Sequence, residues 1–266
     1  MPQNQYDGKD AESAENEEIM KKHFRQGLIL AGSFLGAFSV CLGQPEPKFT
    51  VLFPKDGPVT TGWVVRTWAN VKDAPEWETI WQVWDGILYG GKSPTHKWVG
   101  TWLLSEREYG DFILEVDFKF INGGATGNGG VALRAPLAGR PSYHGMELQI
   151  TDPRYEFSLY RYGGSDQLTG AIYKVLPPIK QVYNAGEWNH YRIDLRGPFL
   201  KVWLNDVLIQ DANLDTVTQK VIPHEDWKEA VQPLSQRPRR GHIGFQELSE
   251  LGEQLLYRNA RIAALD

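Results

Sequence analysis

The stretch "DFILEVDFKFI", residues 111–121, decides the fold. Phe112, Leu114, Val116, Phe118 and Phe120 take every second position, with Glu115, Asp117 and Lys119 between them. A period of two belongs to a β-strand, whose successive side chains point to opposite faces. One face here is apolar and the other charged. Antiparallel sheets carry that contrast, with one face in a core and one in water. The apolar face needs a second apolar layer to cover it. The charged face is expected on the open, ligand-facing side of a curved sheet.

Outward from this strand the same rhythm recurs. "TIWQVWDGILYGG" (79–91) reads as two short strands about a turn at Asp85-Gly86. "GGVALRAPL" (129–137) comes after a glycine-rich turn, and "HGMELQITD" (144–152) is next. "HYRIDLRGPFLKVWLNDVLIQD" (190–211) has a hairpin pattern about Arg196-Gly197-Pro198. "GHIGFQEL" (241–248) and "LLYRNARIAAL" (255–265) finish the chain. Residues 215–241 are polar and proline-bounded, which predicts a long loop with a helical turn over 225–231. The pattern is all-β, a sandwich of two antiparallel sheets. Trp188 and Trp203 are expected in its core, and Arg258 and Asn259 in a buried polar bridge.

Composition agrees. The 266 residues are 41% hydrophobic, with 10 Trp, 11 Tyr and 11 Phe, enough to fill one such sandwich. Counts of 16 Pro and 27 Gly suit short strands and turns rather than a helical bundle. A formal net charge of −5 leaves no basic footprint for nucleic acid.

The N-terminus is of another kind. Residues 1–19 are polar and acidic. From Met20 the chain reads "MKKHFRQGLILAGSFLGAFSVCLGQPEP". Lys21, Lys22 and Arg25 make a positive start, 27–43 is apolar and rich in small residues, and Pro45 and Pro47 close it. This is the layout of a secretory signal peptide. Met20 is the expected start, 1–43 an N-terminal extension and signal peptide, and 44–266 the domain. Residues 1–43 hold 4 Lys/Arg and 6 Asp/Glu, so the remainder has 24 against 27, a net −3. The alternative is a membrane anchor through 27–43, a run near the lower length limit for a spanning helix. A lipid anchor at Cys41 ranks lower, because Val40 is bulky where bacterial lipoprotein signals have a small residue. Export to the periplasm or exterior is expected, without stable membrane insertion. Cys41 is the single cysteine, so no intrachain disulfide forms.

One strand mixes its chemistry. In "YHGMELQITD" (143–152), Met146, Leu148 and Ile150 share one face while Glu147 and Gln149 share the other. A carboxylate and an amide side by side on a sheet face make either a solvated surface or the floor of a site. Other motif classes are weak. The histidines are scattered and no dense Asp/Asn loop stands out, so no metal is expected. "GNGGVALR" leads into a strand pattern rather than a helix, so a phosphate loop is not expected. No dinucleotide fingerprint and no Gly-x-Ser-x-Gly elbow is present, and no cofactor is expected.

Nine motifs then converge in order: "WDGIL" (84–88), "YGDFILEVDF" (109–118), "GNGGVALR" (127–134), "GMELQITD" (145–152), "TGAIY" (169–173), "GEWNHYRI" (186–193), "VWLNDVLI" (202–209), "GHIGFQ" (241–246) and "YRNARI" (257–262). Their order and spacing resemble the 3-keto-disaccharide hydrolase domain family, from about Phe49 to the C-terminus. The resemblance implies a concanavalin A-like jelly-roll sandwich. It also implies cleavage of glycosides, including disaccharides, already oxidised to a ketone at carbon 3 of the sugar. Two positions depart from the family pattern. Asn128-Gly129-Gly130 stands for Asn-Ser-Gly, and "GFQELSELG" offers Glu247 where the family often has a histidine-glycine.

That chemistry needs a base, an acid and a stabiliser for an enolate. Glu147 is the first candidate for base. Arg134, which alternates with Leu133, is the candidate for the enolate oxygen, since its charge is fixed at any working pH. His144 is a candidate acid or base near neutrality. Gln149, Asp152, Asn128, Tyr173 and Lys174 are candidates for binding substrate. Each has a structural rival. Glu147 and Arg134 would also make an ion pair across neighbouring strands, and His144 an ordinary loop residue. Asp152-Pro153 is a common turn start. The expected function is an exported enzyme that cleaves 3-keto-glycosides by base-catalysed elimination and hydration. The ketone would come from a separate sugar 3-dehydrogenase. The alternative is a non-catalytic carbohydrate-binding, lectin-like module on the same fold. An ordinary retaining glucanase is disfavoured, since Gln149 stands where such enzymes place an Asp.

Overall fold

The alternation at 111–121 becomes a nine-residue strand, Phe112–Phe120, inside the larger of two antiparallel sheets. The structure, a computed structural model, describes residues 46–92, 100–123, 127–152, 164–221, 231–249 and 254–266. All of them fall in one unit, 46–266. In chain order the strands are β1 (Thr50–Val51), β2 (Gly57–Pro58), β3 (Trp63–Thr67), β4 (Ile80–Trp84), β5 (Ile87–Lys92), β6 (Thr101–Tyr109) and β7 (Phe112–Phe120). They continue as β8 (Asn128–Ala135), β9 (Met146–Thr151), β10 (Asn189–Arg196), β11 (Phe199–Leu204), β12 (Val207–Asn213), β13 (Gly241–Glu247) and β14 (Leu255–Ala264). A one-turn helix, α1 (Pro141–His144), precedes β9.

The nine-stranded sheet runs β12-β11-β10-β7-β14-β5-β4-β2, with β1 also paired to β14. The five-stranded sheet runs β3-β6-β13-β8-β9. This is the jelly-roll sandwich of concanavalin A-like proteins. The expected hairpins form. Asp85 and Gly86 take positive φ values of 51° and 69°, the paired left-handed conformation of a two-residue hairpin turn. Asn205 and Asp206 do the same between β11 and β12. The helical turn expected over 225–231 falls almost wholly outside the described residues.

The core lies between the sheets. Phe112, Leu114, Val116, Phe118 and Phe120 are at most 1% exposed, and they share one apolar cluster with Val131, Leu133, Met146, Leu148 and Ile150. Burying each large side chain contributes about 1.5–3 kcal/mol, so the alternation of β7 is a major determinant of the fold.

The charged face of β7 does not join the surface that carries Glu147. It lies on the far side of the nine-stranded sheet from the core, and Glu147 lies on the far side of the other sheet. β7 instead carries a structural charge lattice. Glu115 accepts hydrogen bonds from Arg192 and from Nε of Arg261, the latter at 2.7 Å. Asp117 accepts from Asn259 at 2.7 Å and from Arg258 at 3.2 Å, and its Oδ1 is 2.7 Å from His190 Nδ1. Arg258 and Asn259 thus form their polar bridge on a half-open surface. Trp188 and Trp203 are half-buried rather than core, and Arg258 stacks 4.0 Å above Trp188.

Burial alone would raise the Asp117 carboxyl. Hydrogen bonds from His190, Asn259 and Arg258 outweigh it and hold Asp117 below the ordinary range. The same hydrogen bond raises His190 above its usual 6.5. A raised histidine contributes stability that is full below 6.5 and is lost as pH rises through its folded value. Asp117's share is present above its ordinary value and lost as pH falls. His190→Gln should therefore flatten the alkaline decline of the melting temperature between pH 6 and 9. An unchanged decline would remove this pair from the fold's pH dependence.

Candidate active site

Glu147 and Gln149 project from β9 on the face opposite the core. The register builds one row across all five strands: Arg66 faces Trp102, Trp102 faces Gln246, Gln246 faces Gly130, and Gly130 faces Gln149. Glu147, facing Ala132 one step along, leans over Gly130. A Cβ on Gly130 would fall 2.7 Å from Glu147 Oε1 and 2.9 Å from its Cγ. Glycine is what leaves room for the carboxyl.

Two tyrosines from the opposite sheet hold this row in place. Tyr257 Oη donates across the core to the Gln246 carbonyl at 2.7 Å and lies 3.2 Å from that of Gly130. Tyr191 Oη donates to the Gln149 carbonyl at 2.9 Å. Burial pushes both phenols well above their usual value, so both stay protonated as donors. Residues 169–173 run beside β9. Gln149 N donates to Ala171 O at 2.9 Å, and Tyr173 N to Glu147 O at 2.9 Å. The "TGAIY" motif thereby brings Tyr173 to the same pocket.

The pocket is lined by Glu147, Gln149, Asn128, Tyr173, Trp68, Trp102, Arg140, Ser142, Gln246 and Leu248. The Gln149 and Gln246 amides satisfy their neighbours when each NH2 turns to Glu147, donating to Oε1 at 3.0 and 3.1 Å. Gln246 then accepts from Trp102 Nε1 at 3.2 Å. Glu147 is 5% exposed. Burial pushes its carboxyl up to about 8, against the opposing pull of the Arg140 charge and a hydrogen bond with Ser142. A carboxyl raised this far can hold or release a proton near neutral pH. Burial also raises the Tyr173 phenol, so it remains a proton donor.

α1 carries Ser142, and Arg237 fixes α1. Arg237 Nη1 donates to Ser142 O at 2.8 Å and Gly145 O at 2.9 Å, and its Nε to Gln232 O at 2.9 Å. Arg140 lies 4.3 Å from the Trp68 ring centroid.

Of the residues expected from sequence, the structure groups Glu147, Gln149, Asn128 and Tyr173. It does not bring Arg134 to them. β8 bulges against β13 between Ala132 and Ala135, with Arg134 at φ 51°. The bulge breaks the alternation and sends Arg134 to the other sheet. There its Nε donates to Gly110 O at 2.7 Å, Nη1 to Gly197 O at 2.7 Å, and Nη2 to Asp111 at 3.1 Å. Its ion partner is Asp111, not Glu147. His144 ends α1 with its ring against Gly139 and does not line the pocket. Asp152 is buried just past β9, with the parity of the core face. Lys174 lines a separate cavity. Among the described residues, no three His, Cys, Asp or Glu side chains meet as a metal would require.

Sequence reasoning missed Gln246, Trp102, Arg140, Ser142 and Arg237. Gln246 had a signal, in "GHIGFQ". Arg140 and Ser142 lie in an irregular segment where no periodicity applies. The family departures have local causes. A Cβ on Gly129 would fall 2.5 Å from Leu255 Cδ2 and 2.7 Å from Gln246 O, so packing excludes a serine there. Glu247 accepts from Ser249 N at 2.7 Å and Leu255 N at 2.6 Å, a structural use.

Gly130→Ala tests the seat of Glu147. Activity should fall at least tenfold, with a stability loss of about 1–3 kcal/mol from overpacking. Turnover and denaturant unfolding measure both, and full activity would show that the Glu147 position is not critical.

Comparison with known proteins identifies the fold and the family. A Parabacteroides distasonis structure described as a candidate glycosyl hydrolase is 27% identical, with a TM-score of 0.61, covering 82% of this chain and 100% of that one. A second from the same organism, described alike, is 26% identical, with a TM-score of 0.59, covering 82% and 94%. A third such structure, at 22% identity and a TM-score of 0.52, covers 82% and 84% and shares the fold. No curated protein matches the chain. No helix among the described residues is long and apolar enough to cross a membrane. The model of the 3-keto-alpha-glucoside-1,2-lyase-like domain matches residues 48–263, and the chain belongs to that family.

Proposed function

We propose that this protein cleaves 3-keto-glycosides by elimination and hydration, with Glu147 as the base. One observation carries the reading: a buried carboxyl titrating near 8 on a sheet face lined by amides, a phenol and a guanidinium. A ketone at carbon 3 acidifies the hydrogen on carbon 2. Ionised Glu147 takes that proton, and the C–H electrons form an enolate. The enolate collapses to a carbon 1–carbon 2 double bond and expels the oxygen on carbon 1, which takes a proton. Water then adds at carbon 1, its remaining proton restoring the donor that protonated the departing oxygen, while Glu147 returns its proton to carbon 2, giving net hydrolysis. Arg140 supplies positive charge for the enolate, replacing Arg134 in that role. Tyr173 supplies a proton donor. Gln149, Gln246 and Asn128 bind hydroxyls, each amide offering both donor and acceptor.

The ketone is made elsewhere, by a separate oxidoreductase acting at carbon 3, since no dinucleotide motif lies in this chain. The positive, apolar and proline-closed order of residues 20–47 supports export, with the domain beginning near residue 44. The test uses a 3-keto-glucoside bearing a chromogenic leaving group beside the same glucoside unoxidised. Release from the keto compound alone supports elimination. Release from the unoxidised compound would point to ordinary glycosidase chemistry. Binding of both without release would point to a carbohydrate-binding module.

A further inference from the structure

The segment 139–145 borders the Glu147 pocket and gives it Arg140 and Ser142. It has little to hold itself in place. α1 is a single turn, closed by His144 N donating to Arg140 O and Gly145 N to Pro141 O, both at 2.9 Å. Arg140 at its N-cap makes no side-chain cap bond. So short a helix is not stable by itself, and its last carbonyls have no partners within it. Its position must come from outside.

Anchors at both ends supply it. At the first, Gly139 N donates to Asn70 Oδ1 at 2.9 Å, and Val71 N to Gly139 O at 2.8 Å. At the second, Arg237 Nη1 holds the Ser142 and Gly145 carbonyls together. Arg237 is itself fixed. It follows a 3₁₀ turn, Leu234–Gln236, its N donates to Leu234 O at 3.2 Å, and Leu234 is buried in the main core. The arginine is 4% exposed, and its Nη2 has no hydrogen-bond partner among the described residues. Burial lowers the guanidinium to about 10, so it stays charged at neutral pH. A buried charge with an unbonded nitrogen weakens folding. What it provides is a planar fork, and both carbonyls that Nη1 holds lie in the turn between Arg140 and Glu147.

We propose that Arg237, which does not line the pocket, is a positioning residue for it: acting through α1, it holds Arg140 and Ser142 against the Glu147 carboxyl, a role that rests on the reading of Glu147 as base. The Arg140 charge and the Ser142 hydrogen bond both favour ionised Glu147, against burial. Tyr173 beside β9 and Tyr257 from β14 also face the carboxyl, and both are raised phenols that stay neutral through the working range. A looser α1 therefore raises the carboxyl, and a more alkaline solution is needed to ionise the base. In Arg237→Ala the rising limb of kcat/KM for the chromogenic 3-keto-glucoside should move up by about one pH unit, a loss of about tenfold at pH 7. Partial misfolding would scale the whole profile and leave the limb in place. A second readout needs no turnover. The carboxyl carbon-13 resonance of Glu147, identified by its absence in Glu147→Gln, should titrate about one pH unit higher in the variant. If Arg237→Ala does not fold, Arg237→Lys, which keeps the charge and loses the fork, is read in the same two ways. An unshifted resonance in a folded variant overturns the proposal, whatever the activity. A resonance that moves while the limb does not would sustain the hold of Arg237 and instead remove Glu147 as the base.

Discussion

Glu147→Gln is expected to lower turnover of a 3-keto-glucoside by about 10²–10⁴, the usual share of a general base. The amide keeps the shape of the carboxyl and cannot take a proton, so substrate binding should persist. The pH profile makes the test sharper. With its carboxyl at about 8, only about a tenth of folded Glu147 is ionised at pH 7. The wild-type kcat/KM should rise about tenfold per unit from pH 5 to 7 and level off above 8. The variant's residual rate should lack that rise.

Stability should move the other way. At pH below the ordinary carboxylate value of 4.5, Glu147 holds its proton in folded and unfolded chains alike, and nothing is lost. As pH rises, the unfolded chain releases the proton first. Folding is weakened until the buried group itself ionises near 8, by about 3 kcal/mol at pH 7. Glutamine has no proton to release. Glu147→Gln should be the more stable protein at pH 8 and show a flatter stability curve, measurable by denaturant unfolding from pH 5 to 9. A less stable variant with unaltered pH dependence would mean the carboxyl is a paired structural group.

Arg134→Ala is the second large effect, and of opposite kind. The guanidinium is fully buried and bonded to two backbone carbonyls and Asp111. Burial lowers it to about 10, more than the Asp111 charge restores, so it remains protonated at neutral pH. Removing it leaves those carbonyls without their donor and should cost about 3–5 kcal/mol. Turnover per folded molecule should change only a few-fold, because Arg134 does not line the Glu147 pocket. A folded variant with turnover down a hundredfold would return Arg134 to the chemistry.

The glutamate and the arginine differ in how far their sequence neighbourhood places them. Strand alternation put Glu147 and Gln149 on one face and Met146, Leu148 and Ile150 on the other, because a strand's period is fixed by its backbone. The same rule misplaced Arg134, since one extra residue in a bulge reverses the face of every later residue in the strand. Alternation also gave β7 two faces and could not say which surface its charged face would join. That depends on which strands pair beside it.

An all-β sandwich and its hairpin turns were legible in the residues alone, as was the shared face of Glu147 and Gln149, while the family resemblance made these two, Asn128 and Tyr173 site candidates. Period and turn chemistry are local, and a short motif carries them. Assembly of the sheets was needed to bring Gln246 and Trp102 into one row with Glu147, to close Arg140 and Ser142 over it, and to take Arg134 away. Those neighbours come from strands and an irregular segment far apart in the chain. Burial is likewise a property of the assembled sheets, and it is burial that raises the Glu147 carboxyl to about 8.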